Sequence, residues 1–288
     1  MDDVATPAPA ASSLPEGGGW FGPSVRGIGA ASLLSDLGHE VPTALLPSLL
    51  TSTLGAPAAA LGVIEGVADG LAGAARLAGG ALADDPARRR ATAVGGYVST
   101  AVLSGLIGVA STAWQVGVLR AGAWTARGLR VPSRNALLAD AVPREVYGRA
   151  YGFERAMDNL GAIGGPLLAL ALVAAFSVRT AILLSIIPGL LAALAIVYAI
   201  HRLPRLSPRE RQPIRVKVRP VLRGRLGTMM LAVGAFEFGN VAATLLILRA
   251  NELLTPGHGR DSAVRIALLL YAGYNLAATL VSIPAGLS

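Results

Sequence analysis

Two acidic residues, Asp36 and Glu40, interrupt a stretch of the chain that otherwise consists mainly of small and apolar residues. Their spacing places both carboxylates on one face of a helix. Two buried carboxylates so close together cannot both carry a charge cheaply, so at least one is expected to take up a proton. The pair therefore indicates reversible proton binding. The alternatives are a cap on a helix end or a structural ion pair with Arg120, and His39 is expected to point to another face.

Further charged residues occur inside the apolar segments that follow. A charge at the centre of a bilayer costs roughly 2.5–3.5 kcal/mol on insertion scales, so such residues are expected to face a partner or a cavity. Glu65, Asp69 and Arg76 are interpreted as a row of ion pairs along one helix. Arg120 is expected to neutralise Asp36, Glu40 or Asp158, and the alternative is attraction of an anionic substrate. The proton-binding candidates are Asp36, Glu40 and Asp158, and the cavity or ion-pair candidates are Glu65, Asp69, Arg120, Arg127, Glu237 and Asn240.

The composition of the chain places these residues in a membrane. Of 288 residues, 53% are hydrophobic and 15% are charged, and the mean hydropathy is +0.58. The 35 glycines suit helices that pack closely in lipid. We therefore expect an all-α integral membrane protein. The net charge of +8 is spread over several linkers, which argues against a nucleic-acid partner.

Several kinds of chemistry are excluded because the residues they need are missing or isolated. The chain has no cysteine, so disulfides and Cys-ligated metals are excluded. Its single lysine, Lys217, follows no glycine-rich loop, so no ATP-binding phosphate loop is present. The three histidines are far apart in sequence and form no zinc motif. We expect no metal, no cofactor and no enzymatic activity; a membrane enzyme that uses Asp36 and Glu40 as acid and base is a minor alternative.

Long apolar stretches predict about eight membrane-spanning helices. A polar tail (1–24), expected to be disordered and cytoplasmic, precedes a six-helix bundle (25–200), a basic linker (201–225) and a partial second bundle of two helices (226–288). The predicted spans are 26–52, 58–82, 92–112, 114–134, 148–176, 180–200, 226–250 and 264–287.

Arginines concentrate after the even-numbered spans, which predicts that these linkers and the N-terminus are cytoplasmic. The linker after the second span contains Arg88, Arg89 and Arg90. The linker after the sixth span contains nine basic residues: Arg202, Arg205, Arg209, Arg211, Arg215, Lys217, Arg219, Arg223 and Arg225. The end of the fourth span and its linker contain Arg127, Arg130, Arg134, Arg144 and Arg149. Arg249, Arg260 and Arg265, on the predicted outer side, are the exception.

Two motifs resemble the major facilitator superfamily, particularly its bacterial drug-efflux-like proton antiporters. The family's loop between helices two and three, Gly-x-x-x-Asp-Arg-x-Gly-Arg-Arg, is matched at Gly80, Asp84, Arg88 and Arg89 and extended by Arg90, whereas Asp85 and Ala87 depart from it. The helix-five motif Gly-x8-Gly-x3-Gly-Pro-x2-Gly-Gly is matched at Gly152, Gly161, Gly165 and Pro166, but not at the two closing glycines. Packing of small residues in general is the alternative interpretation of the second motif.

The resemblance implies two helical bundles around a central cavity and a secondary transporter that moves a small molecule outward in exchange for protons. The loop motif would act as a conformational latch between neighbouring helix ends. We expect a monomer in the plasma (inner) membrane, with the lipid bilayer, a small-molecule substrate and protons as its partners. The alternatives are an uptake carrier for a nutrient or metal, or a fragment that does not transport, because two helices of a second bundle predict a C-terminally truncated carrier.

Overall fold

The computed structural model describes residues 20–203, 227–229, 231–232, 234–235 and 241–285. Most of the predicted tail (1–24) and of the basic linker (201–225) lies outside these residues, as do the candidates Glu237 and Asn240. The described part of the chain is helical, with short turns between its helices.

Nine α-helices have both ends within the described residues and are numbered in chain order; the described residues between 227 and 235 are helical as well. A π-helical turn (Leu49–Thr53) extends α1, a 3-10 turn (Ile107–Val109) extends α3, and another 3-10 turn (Arg144–Val146) precedes α5. The helices are α1 (Pro23–Ser48), α2 (Ala58–Ala83), α3 (Pro86–Leu106), α4 (Ala113–Ala141), α5 (Tyr147–Ala175), α6 (Val178–Leu184), α7 (Ile186–Arg202), α8 (Ala243–His258) and α9 (Arg260–Ala285).

Local sequence signals account for several helix ends. Pro23 occupies the first turn of α1, where its missing N–H has no helical partner to lose. The Thr112 side chain caps α4 by accepting a hydrogen bond from the Gln115 N–H. Gly55, at φ 65°, lies between α1 and α2, and Gly259, at φ 75°, separates α8 from α9; this backbone region favours glycine.

Some predicted boundaries differ from the observed ones. The fourth span was expected to end at residue 134, yet α4 continues to Ala141 because its arginines are accommodated inside the bundle. The sixth predicted span is divided into α6 and α7 at Ser185. The seventh was expected to cover residues 226–250, but residues 241–242 are not helical, and α8 begins at Ala243 and continues to His258, where its polar residues are mostly exposed.

By length and composition, five helical segments among the described residues could cross a membrane. The helices α1 and α4 do not meet this criterion, and they contain most of the polar side chains of the candidate site. The predicted total of about eight spans therefore stays a prediction. The five segments are Ala58–Ala83, Arg88–Val109, Arg144–Ala175, Val178–Arg202 and Arg260–Leu280.

Helix α1 lies at the centre of the packing. It contacts α5 and α7 along much of its length, while α2 packs on α4, and α9 packs on α5. One apolar cluster surrounds the second half of α1 and includes Leu45 and Leu50 together with Ile247 of α8 and Leu268 of α9. A second cluster surrounds the first half of α1. The helices α8 and α9 thus pack on the second half of α1 and on the π-helical turn that extends it.

Glycines bring α2 and α4 into close contact. A Cβ atom on Gly79 would lie 2.6 Å from the Leu129 carbonyl oxygen, and one on Gly128 would lie 2.5 Å from the Ala72 carbonyl oxygen. Both distances are shorter than a real Cβ contact, so these positions exclude any side chain. Close backbone approach through small residues is a main source of helix association in lipid.

Substitution of Gly128 by Val is expected to destabilise the fold by about 1–3 kcal/mol, because the α2–α4 crossing must open to admit the side chain. The measurement is SDS-induced unfolding followed by circular dichroism. The matched control is Gly73→Ala in α2, where an added Cβ meets nothing within 4 Å. Equal unfolding midpoints for the two variants would contradict this account of the crossing.

Candidate functional site

Polar side chains recur every three or four residues along one face of α1 and one face of α4. This spacing aligns them into a stripe on each helix. Together with acidic residues from α2 and α5, the two stripes form a buried network, named here the polar cluster. It contains Ser32, Ser35, Asp36, His39, Glu40 and Thr43 of α1, Glu65 of α2, Arg120, Trp124, Arg127, Arg130 and Arg134 of α4, and Glu154 and Asp158 of α5.

Arg120 is the most deeply buried charged residue of the polar cluster, at 1% exposure. Its Nη1 donates to Thr43 Oγ1 at 3.0 Å, and its Nη2 lies 3.0 Å from Glu65 Oε2. Its Cζ lies 3.4 Å from the centroid of the Trp124 ring, a cation–π arrangement. Arg120 therefore neutralises Glu65, and the expectation that its partner is Asp36, Glu40 or Asp158 is wrong.

The prediction that Glu65, Asp69 and Arg76 form a row of ion pairs along α2 is also wrong. Asp69 accepts a hydrogen bond from Trp124 Nε1 at 2.9 Å, while Arg76 is exposed. The partners of Glu65 and Asp69 are thus on α4 rather than on their own helix. A sequence pattern within one helix could not show this, because the pairing depends on how α2 and α4 pack.

The proton-binding candidates Asp36 and Glu40 both face His39. The His39 Nδ1 lies 3.4 Å from Asp36 Oδ1, and its Nε2 lies 3.5 Å from Glu40 Oε1. The expectation that His39 points to another face is wrong, because the ring turns back along the helix and lies between the two carboxylates. Asp36 also lies 3.5 Å from Arg127 Nη2, and Glu40 accepts a hydrogen bond from the Tyr271 hydroxyl of α9 at 2.8 Å.

Asp158 of α5 lies close to Asp36 and, with Glu154, contacts Arg134. Arg134 Nη1 is 2.8 Å from Glu154 Oε1 and 3.7 Å from Asp158 Oδ1, and it donates to Ser32 Oγ at 2.9 Å. The Ser32 hydroxyl donates in turn to Glu154 at 2.6 Å. This closed set of contacts connects α1, α4 and α5.

Sequence reasoning missed Arg130 and Arg134, which it assigned to the basic end of the fourth span. Arg130 is 2% exposed, donates to Ser35 Oγ at 2.6 Å and lies 4.0 Å from the centroid of the Tyr97 ring. Its Nε and Nη1 have no hydrogen-bond partner within the part of the chain that the structure describes. The spacing of the α4 arginines, three to seven residues apart on one face, is the signal that could have identified them.

The conformational-latch loop lies at the ends of α2, α3 and α4, apart from the polar cluster. Arg89 pairs with Asp140 near the end of α4, and Arg88 lies 3.2 Å from Asp85. The N–H of Asp84 donates to the Gly80 carbonyl oxygen at 3.2 Å. The residue that departs from the family pattern, Asp85, thus takes part in the loop as the partner of Arg88. The positions involved are Gly80, Asp84, Arg88, Arg89 and Arg90, with Arg90 a half-buried residue of α3.

The helix-five motif brings α5 against the carboxylates of α1. A Cβ atom on Gly161 would lie 2.8 Å from the Asp36 Cβ, and one on Gly165 would overlap the Glu40 side chain. Pro166 is buried within α5, whereas an added Cβ on Gly152 meets nothing within 4 Å. Two of the motif glycines therefore create the space that Asp36 and Glu40 occupy.

The cluster has the composition of a site that exchanges ion-pair partners. Carboxylates, guanidinium groups and an imidazole lie within a few ångströms of one another, away from bulk water. When one carboxylate gains a proton, the arginine that was paired with it can pair with another carboxylate. Among the described residues, no group of three or more His, Asp and Glu is arranged to hold a metal ion.

The fold and this site define a multi-pass, all-helical membrane protein. The sequence matches the Major Facilitator Superfamily over residues 28–287, so the chain belongs to that family. It is 27% identical over 268 residues to an uncharacterised MFS-type transporter of Methanocaldococcus jannaschii, covering 90% of this chain and 64% of that protein. It is 31% identical over 189 residues to an uncharacterised protein of Mycobacterium tuberculosis, covering 65% of this chain and 46% of that protein. The chain spans less than two thirds of the length of either relative.

Solved structures share the fold at low sequence identity. A bacterial homologue of the human lysosomal transporter Spinster, in an inward-facing and unoccupied conformation, superposes with a TM-score of 0.65 at 16% identity, covering 88% of this chain and 60% of that one. A D-xylose-proton symporter superposes with a TM-score of 0.57 at 14% identity, covering 93% of this chain and 70% of that one. Both likenesses concern the helical architecture alone.

Substitution of Glu65 by Gln is expected to destabilise the fold by roughly 3–5 kcal/mol, because it leaves the Arg120 charge buried without its partner. The double variant Glu65→Leu with Arg120→Met should recover most of the loss, since no charge then remains at that place. Both are measured by SDS unfolding. A double variant as unstable as Glu65→Gln would show that the pair is needed for more than neutralisation.

Substitution of Gly165 by Ala is expected to lower stability by about 1–3 kcal/mol, because the new methyl group displaces Glu40 and separates α5 from α1. The matched control is Gly152→Ala, a motif glycine in the same helix with open space around it. Thermal unfolding in detergent compares the two. If the two variants unfold at the same temperature, the motif does not act through packing on α1.

Proposed function

We propose that the protein is a secondary active transporter that moves a small molecule outward in exchange for protons by alternating access. The observation that carries this proposal is the polar cluster, which lies buried between α1, α4 and α5 and reaches α9 through Glu40 and Tyr271. Buried ionisable residues in membrane helices are costly and are kept where ions or protons move.

The proton-coupling residues we propose are Asp36, Glu40 and Asp158. Each is largely buried, and each lies beside a group with which it can exchange contacts: Arg127 for Asp36, Tyr271 for Glu40 and Arg134 for Asp158. When one of these acids gains a proton, its attraction for that partner weakens. Protonation is thereby linked to contacts between different helices.

Contacts between α9 and the first helices support alternating access. Besides the bond from Tyr271 to Glu40, Asn275 donates to the Ala162 carbonyl oxygen of α5 at 2.9 Å. Both contacts involve few atoms and could separate and re-form as α8 and α9 move relative to α1 and α5. The ion pair between Arg89 and Asp140 would act as the latch at the ends of α3 and α4.

The helix-five motif supports outward transport against protons, since it resembles the motif of efflux antiporters and packs on Asp36 and Glu40. We propose a plasma (inner) membrane location with the N-terminus in the cytoplasm. The linkers with Arg88, Arg89 and Arg90 and with Arg144 and Arg149 support this orientation. Arg127, Arg130 and Arg134 do not bear on it, because they belong to the interior of the bundle.

Transport is tested in proteoliposomes that contain a pH-sensitive dye, with ethidium and a panel of other lipophilic cations as probes. We expect addition of a transported cation to change the internal pH. Asp36→Asn and Glu40→Gln should abolish the change, because neither replacement binds a proton reversibly. The control is Glu145→Gln, which removes an exposed carboxylate outside the cluster. Absence of proton movement with every probe, or full activity in both cluster variants, would refute the proposal.

A further inference from the structure

His39 is buried to 3% exposure, and neither motif includes it. Its Nδ1 lies 2.9 Å from the Ser35 carbonyl oxygen, one turn earlier in α1. A carbonyl oxygen can only accept a hydrogen bond, so Nδ1 must carry the hydrogen of that contact. The second ring nitrogen, Nε2, is therefore the one at which the ring gains or loses a proton.

Nε2 faces the Glu40 carboxylate at 3.5 Å and has no hydrogen-bond partner within the described residues. If the ring is neutral and Glu40 is ionised, two lone pairs face each other and the contact is unfavourable. A single added proton removes this conflict. It forms either an N–H on His39 that donates to Glu40, or an O–H on Glu40 that donates to Nε2.

The charge of the polar cluster favours the uptake of that proton. Five carboxylates face four arginines of α4, which leaves one negative charge when His39 is neutral. An unbalanced charge in this environment is expensive, so one proton brings the cluster to neutrality. Arg155 also contacts Asp158, but its side chain is 72% exposed at the edge of the cluster. The groups counted are Asp36, Glu40, Glu65, Glu154 and Asp158 against Arg120, Arg127, Arg130 and Arg134.

The surroundings of His39 come from four other helices. Trp124 of α4 packs edge-on against the ring, with centroids 5.6 Å apart, and also contacts Arg120. The acid of α5 that approaches Asp36 is Asp158. The titratable and charged groups around the ring are Asp36 and Glu40 of α1, Glu65 and Asp69 of α2, Arg120 and Arg127 of α4, Asp158 of α5 and Tyr271 of α9.

We propose that His39 and Glu40 together hold one exchangeable proton between Nε2 and Oε1, and that Tyr271 transmits its presence to α9. Uptake forms one N–H or O–H bond and release breaks it, so nothing else is consumed. The Tyr271 hydroxyl donates to the other oxygen of Glu40, and this bond is strongest when the carboxylate carries its full charge. The inference deepens the proton-coupled transport proposed above and rests on it.

The proton is observed directly by nitrogen NMR of the purified chain labelled at histidine. The background variant His201→Gln/His258→Gln removes the two exposed histidines and leaves His39 as the single ring. We expect Nδ1–H with a bare Nε2 at high pH, and gain of a proton at Nε2 as the pH is lowered.

Two variants locate the partner of that proton. In Glu40→Gln the amide can donate to Nε2, so the ring should stay neutral at the pH at which the parent is protonated. In Asp158→Asn the transition should persist. A ring with its proton on Nε2 at high pH, an unchanged transition in Glu40→Gln, or a transition lost only in Asp158→Asn would overturn the proposal.

The link to α9 is tested with spin labels on Val63→Cys in α2 and Leu269→Cys in α9, both at exposed positions of a chain without natural cysteines. We expect the distance between the labels to change over the pH range in which His39 gains its proton. In Tyr271→Phe this change should be lost, while the His39 signal is kept. A change that persists in Tyr271→Phe would refute the role of this hydroxyl.

The NMR and spin-label signals do not require transport. A normal His39 transition without proton movement in proteoliposomes would therefore refute the proposed function and not this inference.

Discussion

Neutralisation of buried charge is the constraint on which this structure depends. Helix α4 carries four arginines into the bundle, and a guanidinium group does not lose its proton under ordinary conditions. Each one must therefore find acids, hydroxyls or an aromatic face from another helix. Arg120 uses Glu65, Thr43 and Trp124, and Arg134 uses Glu154, Asp158 and Ser32. These contacts determine which faces of α1, α2 and α5 turn towards α4, so the arrangement of the first helices and the polar cluster have the same cause.

The second requirement is close approach of the helices that carry the charges. Helix association in lipid gains little from the hydrophobic effect and depends on packing and hydrogen bonds. Gly79 and Gly128 let the backbones of α2 and α4 meet, which places Glu65 within reach of Arg120. Gly161 and Gly165 leave space on α5 for Asp36 and Glu40. The small residues and the ionisable residues are thus two parts of one arrangement, and the bond from Tyr271 to Glu40 extends it to α9.

Much of the architecture could be predicted because its signals are local. Apolar length indicated a multi-pass helical membrane protein, and two spaced motifs indicated the superfamily to which the chain belongs. Most helices begin within a few residues of the predicted spans, since prolines, glycines and capping side chains act on the nearest turn. The prediction was least accurate at α4, where Arg130 and Arg134 were assigned to a basic helix end and linker. Arginine counts distinguish the two sides of a membrane only when the residues lie outside it, and these are buried among partners from other helices.

The sequence by itself determined which residues are chemically able to act: the acids of α1 and α5, the arginines of α4, and the glycines that fix where helices approach. It also determined that the acids of α1 share a helix face, because that follows from helical periodicity. Only the tertiary structure decided the pairing. Glu65 rather than Asp36 neutralises Arg120, His39 lies between Asp36 and Glu40, and Tyr271, 231 positions from Glu40 along the chain, donates to it. Periodicity orders side chains around one helix axis, whereas the choice of partner depends on how separate helices rotate and cross in space.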